Sequence, residues 1–132
     1  MSDATILVVE DETIVAKDIQ CTLARLGYRA PATATSGEDA LRKAAEIRPD
    51  LVLMDIGLPG LNGYDTARLV RANGHHNLHL VALTGYGQPS DRQSALEAGF
   101  DDHLVKPFNP ADLMRILSQK QKQRSPVTPR IC

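Results

Sequence analysis

The chain has no long apolar run, almost no cysteine and almost no net charge, and each shortage removes a class of protein. Nothing in its 132 residues approaches the roughly 20 consecutive apolar residues of a membrane-spanning helix. The N-terminus, Met1-Ser2-Asp3-Ala4-Thr5, has no basic region before its short apolar run, so it does not read as a secretion signal. Two cysteines, Cys21 inside a helical pattern and Cys132 at the last position, make no disulfide framework. Cys21 reads as a small core or boundary residue, and a reducing cytoplasm is the expected compartment. The glycines of 57–63 and 85–87 form no G-x-G-x-x-G opening a helix, which argues against dinucleotide binding. His75, His76 and His79 cluster near a turn without a cysteine or paired acid, and read as solvated loop histidines.

The formal charge of −1 hides an asymmetry. From Ser118 onward the chain carries Lys120, Lys122, Arg124 and Arg130 with no acid, while the preceding residues sum to −5. The end of the chain is rich in Gln, Ser and Pro and lacks interleaved aromatics. It reads as a disordered, solvated tail over 121–132 more than as a nucleic-acid arm. Residues 1–120 then form one domain, with the ordinary apolar content of a soluble globular protein.

What is present is a repeated pattern. Leu51-Val52-Leu53-Met54 is a run expected to be buried on both faces of a sheet, and Asp55 is the first charged residue after it. The glycine- and proline-rich stretch from Gly57 to Gly63 leaves that carboxylate on an open rim, although a solvated loop Asp is the alternative from this stretch alone. Ile6-Leu7-Val8-Val9 hands over to Glu10-Asp11-Glu12, Leu80-Val81-Ala82-Leu83 to Thr84-Gly85, and His103-Leu104-Val105 to Lys106-Pro107. In an open α/β sheet the crevice outside the strands' carboxyl ends is where ligands bind.

Between these runs lie helical patterns. Val15, Ile19, Leu23 and Leu26 mark one face of a helix stopping at Gly27. The segment 28–35, interrupted by Pro31, is a weak strand suited to an edge. Ser36-Gly37-Glu38-Asp39 resembles a capping box before a helix with Ala40, Leu41, Ala44, Ala45 and Ile47 inward, broken at Arg48-Pro49-Asp50. A short helix presents Tyr64, Ala67 and Val70. Ser90-Asp91-Arg92-Gln93 opens another that ends at Gly99. Asn109 and Pro110 begin a last one with Leu113, Ile116 and Leu117 inward. Five strands alternating with five helices predict βαβ units, a parallel sheet and right-handed crossovers.

Carboxylates converging on one spot repel unless a divalent cation holds them, and oxygen ligands suit Mg²⁺. A lysine beside them supplies a point charge for phosphate oxygens, and a threonine hydroxyl adds a hydrogen bond. A carboxylate attacking a phosphoryl group forms an aspartyl phosphate. The pattern therefore predicts phosphoryl transfer to Asp55.

The motifs Val9-Glu10-Asp11-Glu12, Met54-Asp55-Ile56-Gly57-Leu58-Pro59, Leu83-Thr84-Gly85-Tyr86-Gly87 and Val105-Lys106-Pro107-Phe108 stand in the order and spacing of a known family. Over residues 5–120 the chain resembles the response-regulator receiver domains of two-component signalling, most closely those associated with hybrid histidine kinases. The resemblance implies a flavodoxin-like, doubly wound fold with strand order 2-1-3-4-5. It implies that Asp55 is the phospho-acceptor, that Thr84 and Lys106 contact the phosphoryl group, and that Glu10, Asp11, Asp55 and the Gly57 carbonyl hold Mg²⁺, one acid through water. It also implies a cis Lys106-Pro107 bond. The implied partners are a sensor histidine kinase or phosphotransfer protein and a downstream protein target, with a homodimer as one arrangement and no DNA-binding domain in these residues.

Two positions depart from the pattern. His103 stands where the family has a bulky aromatic coupled to the threonine, so Thr84 and His103 form an atypical switch pair. Glu10 stands where Asp is commoner. Two other readings remain open. A phosphatase working through an aspartyl phosphate would place a second Asp two positions after the nucleophile, where this chain has Gly57. A phosphate-independent pseudo-receiver would not need the intact acids, Thr84 and Lys106. The domain is expected to catalyse only its own phosphorylation and dephosphorylation.

Overall fold

The computed structural model describes residues 5–30, 32–75, 77–85, 92–106 and 109–124. Ten elements alternate: β1 (Ile6–Val9), α1 (Thr13–Arg25), β2 (Thr33–Ala34), α2 (Gly37–Ile47), β3 (Leu51–Asp55), α3 (Gly63–Ala72), β4 (His79–Thr84), α4 (Arg92–Ala98), β5 (Asp102–Val105) and α5 (Pro110–Arg124). The strands form one parallel sheet in the order β2-β1-β3-β4-β5. This is the five-stranded, five-helix architecture and order expected from the sequence.

The sheet is covered on both faces, which is why its inner strands β1, β3 and β4 are buried along their whole length and do not alternate, unlike the edge strands β2 and β5. One face packs Ile6, Val8, Leu51, Leu53, Val81, Leu83 and Leu104 against α1 and α5, through Ala16, Ile19, Leu23, Leu113, Ile116 and Leu117. The other packs Leu7, Val9, Val52, Met54, Leu80 and Ala82 against α2, α3 and α4. The helices on that second face contribute mainly small residues, Ala40, Ala44, Ala67, Ala95 and Ala98, so they sit close to the sheet. Each buried Leu, Ile or Val contributes about 1.5–3 kcal/mol from area removed from water.

Local signals place most boundaries. Gly27 takes a φ of +89° at the end of α1. Ser36 Oγ accepts from Asp39 N at the start of α2, while Asp39 reaches back to Thr35 N, one residue earlier than a full capping box requires. Arg48 ends α2 in the left-handed region. Asn109 Oδ1 accepts from Asp112 N at the start of α5. The expected weak strand is β2 at the sheet edge, reduced to two residues plus a bridge between Thr5 and Arg29. Helix α5 runs to Arg124, past the expected domain boundary at 120.

Three placements differ from expectation. Cys21 is exposed: the buried stripe of α1 is Ala16, Ile19 and Leu23, and a residue two positions from both Ile19 and Leu23 lies on the opposite face. Ala45 is likewise exposed, because the buried alanines of α2 are Ala40 and Ala44. His79 is not a loop residue. It begins β4, is buried, and lies 3.8 Å from both the Asp101 and Asp102 carboxylates. His75 is half-buried in the α3–β4 turn. His76, Ser90, Pro107 with its peptide bond, Phe108, Cys132 and the tail beyond 124 lie outside the described residues.

The strands' amino edge is tied by Arg71 of α3. Its guanidinium donates to Gly99 O at 2.8 and 3.0 Å, to Leu78 O at 2.6 Å and to His75 O at 2.8 Å, and it pairs with Asp101 at 2.8 Å. Gly99 allows this approach: its φ is +112°, and a Cβ there would lie 2.9 Å from Arg71 Cγ. Arg71→Met should remove several of these donors at once and cost about 3 kcal/mol. Arg71→Lys should recover less than half, because an ammonium does not reproduce the planar fork. Urea midpoints of the two variants test this.

Candidate functional site

Glu10, Asp55 and Lys106 are fixed by backbone hydrogen bonds that carry the ladder past their strands. Glu10 N donates to Ala34 O at 2.9 Å, Ile56 N, just after Asp55, to Leu83 O at 3.1 Å, and Lys106 N to Thr84 O at 2.7 Å. The sheet order then sets β1 beside β3, with β4 and β5 following. Strands lie about 4.8 Å apart, which puts Lys106 roughly two spacings from Asp55 and three from Glu10, and the long lysine stem and the acid side chains close that gap from both ends.

Lys106 Nζ lies 2.9 Å from Glu10 Oε1 and 3.3 Å from Asp55 Oδ2. Glu10 Oε2 accepts from Glu12 N at 3.2 Å, and Asp55 Oδ1 accepts from Gly57 N at 2.9 Å. Glu10 is 1% exposed and Asp55 6%, while Asp11 is exposed beside them. One carboxylate oxygen from each of Glu10, Asp11 and Asp55 lies within 4.8 Å of the others.

One ammonium faces three carboxylates. Two unit charges about 4.8 Å apart repel by about 3–4 kcal/mol at an effective dielectric near 20, so one lysine does not neutralise the cluster. The charged groups respond accordingly. Burial, reinforced by the Asp55 charge, pushes the Glu10 carboxyl above its usual range despite the Lys106 hydrogen bond. Burial alone would lower Lys106, but its hydrogen bond to Glu10 and the Asp55 and Glu10 charges outweigh that and raise it. The site is short of positive charge.

The donor set fits a small divalent cation. Opposite oxygens of a Mg²⁺ octahedron are about 4.2 Å apart, close to the span of this cluster, and hard carboxylate oxygens suit that ion. Gly57 meets the site through its N–H, which donates to Asp55 Oδ1.

Thr84 ends β4 and is buried, with its hydroxyl donating to Leu104 O at 3.4 Å instead of facing Asp55. The register pairs Ala82 with His103 and Thr84 with Val105, so Thr84 and His103 share the sheet face that α4 covers. His103 is half-buried there and lines a cavity with Ala95, Leu96, Phe100, Asp101 and Asp102.

Gly63 was visible in the sequence only as a loop glycine. In the fold, a Cβ on it would lie 2.5 Å from Ile56 Cα and 2.8 Å from Asp55 O, and its N–H donates to Ile56 O at 3.2 Å. It lets the start of α3 sit against the loop that carries Asp55. The Glu10–Lys106 pairing was also missed, because two residues 96 positions apart carry no local signal.

The family match agrees with this geometry. Residues 6–118 match the model of the response regulator receiver domain. The chain belongs to the response regulator receiver domain family. The DNA-binding response regulator MtrA of Mycobacterium tuberculosis is 39% identical over 109 residues, covering 83% of this chain and 46% of that protein. The transcriptional regulatory protein AfsQ1 of Streptomyces coelicolor is 38% identical over 103 residues, covering 78% and 44%. The receiver domain thus spans about half the length of the curated relatives it matches. A response regulator from Chloroflexus aurantiacus superposes with a TM-score of 0.83 at 33% identity, covering 90% of this chain and 98% of that one. The receiver domain of a sensor histidine kinase from Pseudomonas aeruginosa superposes with a TM-score of 0.79 at 39% identity, covering 89% and 97%. That structure has a magnesium ion coordinated in its active site cleft. Among the described residues of the present receiver domain, no helix is long and apolar enough to cross a membrane.

The raised Glu10 gives a pH signature. A carboxyl whose folded value exceeds its unfolded one stabilises the fold below the ordinary glutamate range, and that contribution is lost as pH rises through the folded value. Without divalent cation, the parent should therefore lose stability relative to Glu10→Gln between about pH 4 and about pH 7. Urea midpoints at both pH values check this, and saturating Mg²⁺ should restore the parent.

Proposed function

We propose that this receiver domain accepts a phosphoryl group on Asp55 from a phosphohistidine donor in a Mg²⁺-dependent reaction, and that the resulting aspartyl phosphate switches its binding to other proteins. The observation that carries the reading is the acidic cluster with Lys106 Nζ 3.3 Å from the Asp55 carboxylate. Asp55 is nearly buried, and Gly57 N–H and Lys106 leave it little freedom, so it is oriented before the donor arrives.

An Asp55 oxygen forms the new bond to phosphorus as the phosphorus–nitrogen bond of the donor breaks, and the donor imidazole departs with that electron pair. Bound at Glu10, Asp11 and Asp55, with the Gly57 carbonyl as a further oxygen, a magnesium ion would offset charge on the phosphoryl oxygens. Lys106 offers its ammonium to the same oxygens. Thr84 would leave the Leu104 carbonyl to donate its hydroxyl to them, vacating space on the His103 side of the sheet. With His103 in place of a large aromatic, the coupling to the surface of α4, β5 and α5 is expected to be weaker, because the smaller imidazole fills less of the space that Thr84 vacates. Turnover of external phosphate esters is disfavoured, because Gly57 stands where such an enzyme would place its acid/base carboxylate. The chemistry is thus confined to the domain's own acylphosphate and its hydrolysis. A histidine kinase or phosphotransfer protein supplies the phosphoryl group in this reading, in the cytoplasm, and a protein target reads the result.

Incubation with Mg²⁺ and a small acyl phosphate should add one phosphoryl mass at Asp55, lost on chelation and absent in Asp55→Asn. A gain surviving in Asp55→Asn at another carboxylate would overturn the reading. Lys106→Arg should keep the cation but lose the phosphorylation-dependent change in conformation, since a planar fork replaces a compact charge. Backbone NMR shifts with and without a phosphate mimic measure that.

A further inference from the structure

The loop that follows Asp55 is held from two sides. Its end at Gly63 stands directly against β3, where a Cβ would meet Ile56 Cα at 2.5 Å and Asp55 O at 2.8 Å. From the other side comes Gly37, the first residue of α2. A Cβ on Gly37 would overlap Thr66 Oγ1 and would lie 2.8 Å from Leu61 O and 3.0 Å from Leu61 Cδ2. Thr66 is fully buried on α3, and its hydroxyl donates to Asn62 O at 2.7 Å. Residues 61–63 are thus wedged between the start of α2 and the backbone of Asp55 and Ile56, with no room for a methyl group on either side.

Both walls are anchored. Gly63 N donates to Ile56 O at 3.2 Å, Ser36 Oγ caps α2 through Asp39 N at 3.1 Å, and Ala40 and Ala44 bury α2 against the sheet. A close-packed interior passes a displacement on to the next group. We propose that Gly37 is a positioning residue for the cation site, acting through Thr66 and Leu61 on the loop that presents Gly57 and on the backbone of Asp55. This rests on the reading of Glu10, Asp11 and Asp55 as the cation and phosphoryl site. Helix α2 carries none of those acids, yet the bulk of its first residue sets where the loop beside them lies. A methyl group at position 37 drives residues 61–63 toward Asp55 and Ile56 and displaces the Gly57 carbonyl.

Mg²⁺ affinity of the full chain by calorimetry, read beside the urea midpoint, tests this. Gly37→Ala should weaken Mg²⁺ binding by about tenfold, as when a group that supports a metal ligand is displaced. Adding Thr66→Ala removes the overlapping oxygen, and the double variant should return to within about threefold of the parent. Gly74→Ala is the control. At a φ of +94° with open space around its Cβ, it should lower the urea midpoint through backbone strain yet leave Mg²⁺ affinity within about twofold. A Gly37→Ala protein that binds Mg²⁺ like the parent would overturn the proposal, whatever its stability, and so would a double variant as weak as Gly37→Ala. Absence of Mg²⁺ binding in the parent would overturn the reading of the site, and the proposal with it. Should Gly37→Ala fail to fold, Thr66→Val closes the same gap from the α3 side, while Thr66→Ser keeps the oxygen. Thr66→Val should bind Mg²⁺ about fivefold more weakly than Thr66→Ser. Equal affinities in that pair would overturn the proposal.

Discussion

The carboxyl edge of this sheet carries a charge imbalance, three carboxylates facing one ammonium, and the surrounding structure serves to hold it in place. Left to water, Glu10, Asp11 and Asp55 would separate and Lys106 would swing free. Here Glu10 and Asp55 are buried, and each is pinned by a backbone N–H two residues further along, from Glu12 and Gly57. The backbone bonds that extend β1, β3 and β5 by one residue fix where the side chains start. A cluster arranged in this way, with an excess of negative charge, is a poor stabiliser of the fold, and its hard carboxylate oxygens are of the kind that suit a divalent cation.

The scaffold explains why the imbalance is tolerated. Both sheet faces are covered by helices, and the apolar core on either side supplies stability that the site does not. At the opposite edge, the Arg71 guanidinium ties α3 to the α4–β5 turn and to the start of β4. Charged groups at that edge are satisfied by carbonyls and paired carboxylates, in contrast to the site. Gly63 and Gly99 serve these two edges by different means, one through close approach to the Asp55 loop, the other also through a positive φ.

Much of this was legible in the chain itself. Four apolar runs, each ending in a distinct polar residue, predict four of the five strands, and the alternation with helical patterns predicts a parallel sheet. The identities of Glu10, Asp11, Asp55, Thr84 and Lys106 follow from the same runs. What stayed hidden were pairings between distant positions. Nothing near Arg71 announces that it will meet Gly99 and Asp101, and nothing near His79 announces two carboxylates, so His79 reads as a loop histidine until β5 is placed beside β4. Cys21 and Ala45 were misplaced for a different reason. A small apolar residue one or two positions along the chain from buried ones satisfies composition, but the 100° step of a helix turns it away from their face. The hydroxyl of Thr84, turned to Leu104 O, and the preference of Lys106 for Glu10 over Asp55 are matters of ångströms, beyond any pattern.

The most direct measurement is a crystal structure of the full chain with Mg²⁺ and beryllofluoride, a tetrahedral mimic of a phosphoryl group. The account predicts the beryllium on an Asp55 oxygen, a magnesium ion among Glu10, Asp11 and Asp55, Lys106 Nζ moved from Glu10 onto a fluoride, and the Thr84 hydroxyl turned away from Leu104 O. A mimic bound elsewhere, or Lys106 still on Glu10 with the site filled, would contradict it.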